Sequence, residues 1–313
     1  MSIVQFRTAA IVALALAPLT AAEPAAPQNS VRPIATIAIP ALREGSGVVA
    51  SHRLPGVLWA HNDSGDQPRL FAFRRDGVAV LPTGTSDPVR YRGVRIDNAR
   101  NYDWEDITSD PEGRLYIGDI GNNDSARRNL AIYVVDEPDP VAGTPVRAIR
   151  VPFVYPGQKQ FPPPLAQRSF DAEALFWADG KLHLLTKRLG DRQTALYRFD
   201  TLIAGEQSVP TLVDTFDARM LVTGASATAD GRRLAVLGYT PSLLGAMGLV
   251  DIVYVFERPN GTGPWFSSSV RQRRFSGAQF AEGICWVGNT LLVTNEGGQL
   301  FELSLDDFTP VSR

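Results

Sequence analysis

The side chains best suited to chemistry in this sequence are carboxylates and amides that recur at matched positions. Glu105, Glu173 and Glu282 each open a short apolar stretch, and Asp119, Lys187 and Glu296 follow 14 positions later. Ala225 and Tyr239 repeat that interval without the opening acid. Around these pairs stand His61, Asn62, Asp63, Asp66, Asp103, Asp106, Asn122, Asn123, Asp171, Arg188 and Asn295. Carboxylate and amide oxygens gathered in this way suit Ca²⁺, a hard cation that takes roughly six to eight oxygen ligands. Three histidines and one cysteine in the whole chain are too few for a zinc site of ordinary type. Nucleophile motifs are missing: Gly224-Ala225-Ser226-Ala227 lacks the spacing of a serine elbow, and no glycine-rich phosphate loop ending in Lys-Ser/Thr occurs. Cys285, within Ile284-Cys285-Trp286-Val287, reads as a small buried hydrophobe. No residue is therefore assigned a catalytic role.

Repeated elements must hold these residues. Segments of 15 residues starting at Glu105, Glu173, Ala225 and Glu282 overlay without gaps as apolar strand, Gly-containing turn and alternating apolar strand. A fifth copy starts near Ser46, turns through 51–56 and returns through 57–60 into His61-Asn62-Asp63. A third apolar run follows each hairpin, as at Leu70–Phe73 and Ile132–Val135, and a fourth strand follows in four copies, as at Arg147–Phe153 and Thr211–Phe216. Four antiparallel strands per repeat predict an all-β propeller of five blades. A sixth blade within Val141–Phe170 is the variant to test, and a two-sheet β-sandwich is the competing architecture. Pro33–Pro40 has no hairpin partner of its own, and the last copy ends after its third strand. The first segment is expected to complete the last blade and close the ring, which leaves few exposed strand edges.

A hairpin returns to the end from which it started, so the paired polar positions share one face of the disc. Strand one of a blade lies innermost, which places its opening residue at the channel mouth. On this reading Asp63, Asp103, Glu105, Asp119, Glu173 and Glu282 are the candidate metal ligands. His61, Asn62, Asp66, Asn122, Asn123, Lys187, Arg188, Tyr239, Asn295 and Glu296 are the candidate ligand-binding residues, and Ser46 and Ser226 fall on the same face. For any single acid the competing role is structural, accepting backbone N–H groups from the neighbouring blade. Together they repel: two unit charges 4 Å apart cost about 4 kcal/mol at an effective dielectric of 20.

Met1–Arg7 is followed by an apolar stretch to Leu19 and by Thr20-Ala21-Ala22. This pattern predicts a signal peptide over 1–22, a flexible leader over 23–32 and a single propeller domain over 33–313, in the periplasm or secreted. An N-terminal anchor is the alternative, although the apolar stretch is short for a span. A net charge of -2 gives no reason to expect nucleic acid. No membrane span is expected in the mature chain, and a monomer is expected.

Ser46-Gly47, HNDSGD at 61–66, DWEDI at 103–107, IGDIGNN at 117–123, DAEAL at 171–175 and AEGI at 281–284 resemble the phytase-like and SdiA-regulated propellers of bacteria. That resemblance implies a propeller with a calcium-binding acidic face. For the true β-propeller phytases it further implies phosphomonoester hydrolysis, with calcium activating water and holding phosphate. The chain departs from the enzyme pattern, since its mapped face carries chiefly Lys187 and Arg188 as basic residues and Ala225 replaces an opening acid. Two functions stay open. One is a noncatalytic propeller binding a small molecule or envelope component through a Ca²⁺-bearing face. The other is a calcium-dependent phosphoester hydrolase.

Overall fold

The computed structural model describes residues 29–240 and 250–311. The expected signal peptide lies outside the described residues. Five antiparallel sheets form the ring. Blade one runs Gly45–Ala50, Val57–Asn62, Arg69–Arg74 and Val94–Arg95; blade two runs Trp104–Ser109, Arg114–Asp119, Ala131–Asp136 and Ile149–Pro152. Blade three is Ala172–Ala178, Lys181–Thr186, Thr194–Phe199 and Thr211–Phe216. Blade four is Leu221–Ala227, Arg233–Thr240, Val250–Glu257 and Ser269–Ser276; blade five is Ala281–Val287, Thr290–Asn295 and Gln299–Ser304. Each innermost strand packs against the next, and that of blade five returns to blade one. The segment proposed for a sixth blade supplies the outer strand of blade two and a short 3-10 turn at Leu165–Gln167 instead.

Strand pleat explains why five sheets make one ring. Alternate residues point to opposite faces, so each blade feeds two cores. Tyr133 and Val135 pack toward blade one, whereas Ile132 and Val134 pack toward blade three. Five inter-blade clusters result, one at each junction. Burying a Phe or Leu there contributes about 1.5–3 kcal/mol each. Ring closure follows the expectation. Ala35–Thr36 pairs antiparallel with Gln299–Ser304, Ala35 opposite Leu300 and Thr36 opposite Gln299. The Ile34 and Ile37 amides add bonds to the Leu300 and Gly298 carbonyls, both 2.8 Å. Residues at the end of the stretch read as a flexible leader are held as well: Asn29–Ser30 pairs parallel with the outer strand of blade four, and the Val31 amide donates to Ser276.

Candidate metal centre at the channel mouth

One irregularity at the start of each inner strand aims the polar residues at the axis. A β-bulge at Glu105, Glu173, Thr223 and Glu282 inserts one unpaired residue, and in blade one Ser46 and Gly47 together stand opposite His61, again one residue extra. Bulges turn a side chain away from the regular pleat. Two of the bulge residues are hydroxyls that stitch neighbouring blades: Ser46 donates to the Glu105 carbonyl at 2.5 Å and Thr223 to the Ala281 carbonyl at 2.8 Å. The three glutamates instead line a cavity of about 370 Å³.

The bulges also correct the gapless overlay. Blade four's turn is two residues longer than blade three's, so Thr223 rather than Ala225 occupies the glutamate position. Ser226 consequently lies at the opposite end of the channel, where its hydroxyl accepts the Trp286 amide. Blade two's turn is one residue longer than blade three's. Asp119 therefore corresponds to Thr186, and Ile120 to Lys187. Asp63, Ile120, Lys187 and Glu296 all donate their amides to the residue preceding strand one of their own blade: Glu44, Asp103, Asp171 and Phe280. Acids at all three positions of one junction, the residue after strand two and then the pre-strand and bulge residues of the next blade, occur between blades one and two. They are Asp63, Asp103 and Glu105. Their ligand oxygens lie within 4.8 Å of one another.

Glu105 is 5% exposed, and no hydrogen bond reaches its carboxylate among the described residues. Gly121 lies against this cluster: a Cβ on it would stand 2.1 Å from Glu105 Oε1 and 2.4 Å from Asp103 Oδ2. Burial, then the neighbouring carboxylates, hold Glu105 well above the ordinary range. Burial likewise pushes Asp63 and Asp103 up to about 6; the Ser64 amide partly opposes this at Asp63, and Arg127 does so at Asp103. Across the cavity Glu173 is pushed up to about 8 by burial, against the pull of Lys187. Lys187 ion-pairs with Glu173, and its charge is held on by Glu173, Tyr239 and Glu282 despite burial. The donor set is all oxygen, with the Arg127 guanidinium 3.9 Å from Asp103 as a neighbouring cation, and fits a Ca²⁺ ion held by Asp63, Asp103 and Glu105.

The remaining expected residues divide clearly. Asn123, Tyr239, Glu282 and Glu296 line the cavity, as do Glu173 and Lys187. Asp119 is buried behind it, accepting the Asp103 amide at 3.1 Å and an Arg127 bond at 2.6 Å. His61 is fully buried, edge-on to Trp104 at 5.6 Å, and burial lowers its pKa to about 4. Asn62, Asn122 and Asn295 latch loops: Asn62 accepts the Arg43 amide, Asn122 the Arg127 amide and Asn295 the Gln299 amide. Asp66 is engaged by Arg69 and Asn62, and Arg188 turns to Asp191. Asp106 plays the structural part considered for such acids, accepting the Leu175 amide of blade three at 2.7 Å.

Sequence reasoning missed Glu44 and Phe280, which also line the cavity. Glu44 precedes strand one just as Asp103 and Asp171 do, and that match was the available signal. Phe280 gave none. It and Gln279 adopt left-handed backbone, φ 57° and 47°, a costly conformation for a bulky residue. Its ring stands edge-on to Tyr239 at 6.1 Å.

No family model matches the sequence, and no curated protein matches it. The resemblance to phytase-like propellers thus stands at the level of the propeller fold. Among solved structures the chain is similar to the glutaminyl cyclase of Myxococcus xanthus, at 14% identity and TM-score 0.46, over 91% of this chain and 99% of that one. It is similar to the α-L-arabinanase of Penicillium chrysogenum, solved with arabinobiose, at 14% identity and TM-score 0.40, over 93% and 87%. A chain of a mitotic checkpoint complex gives 10% identity and TM-score 0.47, over 92% and 99%. The propeller itself is read from the five sheets of this chain.

Proposed function

We propose that this chain is an exported binding propeller whose mouth holds a calcium ion and presents it to an oxygen-rich ligand, a small molecule or an envelope component. The observation that carries this reading is the convergence of Asp63, Asp103 and Glu105 within 4.8 Å. Three carboxylates so close are unfavourable without a cation, because their mutual repulsion grows as burial lowers the local dielectric. A bound ion with open coordination positions would take ligand oxygens from the cavity, and the Tyr239 and Phe280 rings would give the ligand an apolar flank. Binding is favoured over phosphoester hydrolysis by the state of the basic groups. A transferring phosphoryl group needs free cations around it. Lys187 is the basic residue of the lining and is taken by Glu173, Arg127 by Asp119, and Arg188 by Asp191.

The test is calcium titration of chelator-stripped protein followed by calorimetry and thermal melting. A folded-state ion stabilises by about 2.7 kcal/mol at a concentration a hundredfold above its dissociation constant. Equal melting in calcium and chelator would sink the reading. A panel of phosphoesters assayed on the calcium-loaded protein separates the two functions, and turnover there would favour the hydrolase. Export has its own check, since the intact mass of protein recovered from periplasm or medium should begin near Glu23.

A further inference from the structure

Among the described residues, Lys187 is the one basic residue in the cavity lining. Its side chain is only 16% exposed, its ammonium ion-pairs with Glu173, and it lies 5.8 Å from the Tyr239 ring centroid. Glu173 is 6% exposed at the side chain and lines the cavity, yet its Oε2 atom is buried with no hydrogen-bond partner. The junction between blades two and three is thus a near copy of the one between blades one and two. Asp171 and Glu173 match Asp103 and Glu105, but Ile120 stands where the first junction has Asp63. A divalent ion there would meet the Glu173 carboxylate and a resident ammonium, while Asp171 accepts the Asn122 amide at 2.6 Å.

We propose that the Lys187 ammonium takes the place of a second divalent cation, so that the mouth holds one calcium ion beside Glu105 and a tethered positive charge beside Glu173. This rests on the calcium reading of the first junction. A lysine needs no mass action to stay in place, and it repels a divalent ion from the same carboxylates. Removing it leaves Glu173 and Glu282 facing one cavity without their counter-ion, and Glu173 Oε2 free to ligate.

Calorimetric calcium titration of the full chain, stripped by chelator at pH 8, tests this with Lys187→Met. The expected result is one ion per wild-type chain and two per Lys187→Met chain. The double variant Glu173→Gln/Lys187→Met, which removes both charges, should return to one, and Lys187→Arg should stay at one. Two ions on the wild type, or one on a folded Lys187→Met, would overturn the proposal while leaving the first site standing. No ion on the wild type overturns the calcium reading and this proposal with it. Circular dichroism of the stripped variants checks folding. If Lys187→Met does not fold, the wild type and Lys187→Arg decide: one ion on each supports the tethered charge, two on either refutes it.

Discussion

Replacing Glu105 by Gln should make the calcium-free protein more stable and the calcium-loaded protein less so. The side chain keeps its shape and loses one charge in a group whose oxygens lie within 4.8 Å. At that distance each like-charge pair costs about 3.5 kcal/mol at an effective dielectric of 20. Solvent at Asp63 and Asp103 and the Arg127 charge near Asp103 reduce this, so a net gain of about 1–2 kcal/mol is expected in chelator at pH 8. For a chain of this size that is a rise in Tm of several degrees, at about 2–4 °C per kcal/mol. In calcium the order should reverse. The wild type gains about 2.7 kcal/mol at a hundredfold excess over its dissociation constant, and the variant loses most of that gain. Acid supplies the control. Burial and neighbouring charge raise the Glu105 carboxyl well above the ordinary carboxylate range, so acid favours its neutral form in the folded wild type and the gap between the two proteins in chelator should narrow from pH 8 to pH 5. Melting curves in calcium and in chelator, at both pH values, make the assay. A variant destabilised equally in all four conditions would refute the reasoning and give Glu105 a purely structural role.

Three further outcomes are expected. Asp63 and Asp103 at about 6 and Glu173 at about 8 hold protons when folded that the unfolded chain has released. Calcium-free stability should therefore fall as pH rises from about 4 to 8, and calcium affinity should rise over the same window with proton release, measured by calorimetry in two buffers of different ionisation enthalpy. Asp106→Ala removes the acceptor of the Leu175 and Ile107 amides from a site with 0% exposure; a loss of about 2–6 kcal/mol, equal with and without calcium, should appear in denaturant unfolding. Gly121→Ala sets a methyl group 2.1 Å from Glu105 Oε1, so it should displace the carboxylates and weaken calcium binding at least about tenfold (about 1.4 kcal/mol) in calorimetry, with the blades intact.

The fold was legible because its information is local and repeated. Strand alternation, a turn glycine and a returning apolar run are properties of some fifteen consecutive residues. Five copies force a ring once each blade must bury both faces. Even closure could be read, since Pro33–Pro40 was a strand without a partner and Gln299–Ser304 a third strand without a fourth. The pairing of Asn29–Ser30 with blade four could not be read. Two residues held by backbone bonds carry no hydrophobic pattern, and the polar, proline-bearing sequence before them resembles a linker.

The site was legible in residue type but not in register, and turn length is the reason. A gapless overlay assumes that every hairpin turns with the same number of residues. Blade three turns through Asp179-Gly180 alone, while blades two and four spend one and two residues more. A single extra residue moves a closing side chain by one place along the strand end, which here separates a cavity wall from a buried brace. Lys187 and Glu296 reach the mouth at this place, whereas the same place in blade two holds the core residue Ile120 and sends Asp119 back onto Arg127. The amides make their bonds within the fold for a related reason. Asn62, Asn122 and Asn295 flank strand ends as ligand-binding residues would, but Asn122 and Asn295 each accept an amide of their own loop, and Asn62 accepts the Arg43 amide of the segment leading into strand one. What distinguishes Glu105 from them is a buried carboxylate to which no amide was brought. Selection of a site from a polar face therefore turns on which groups the fold leaves unsatisfied, and that follows only from the three-dimensional register.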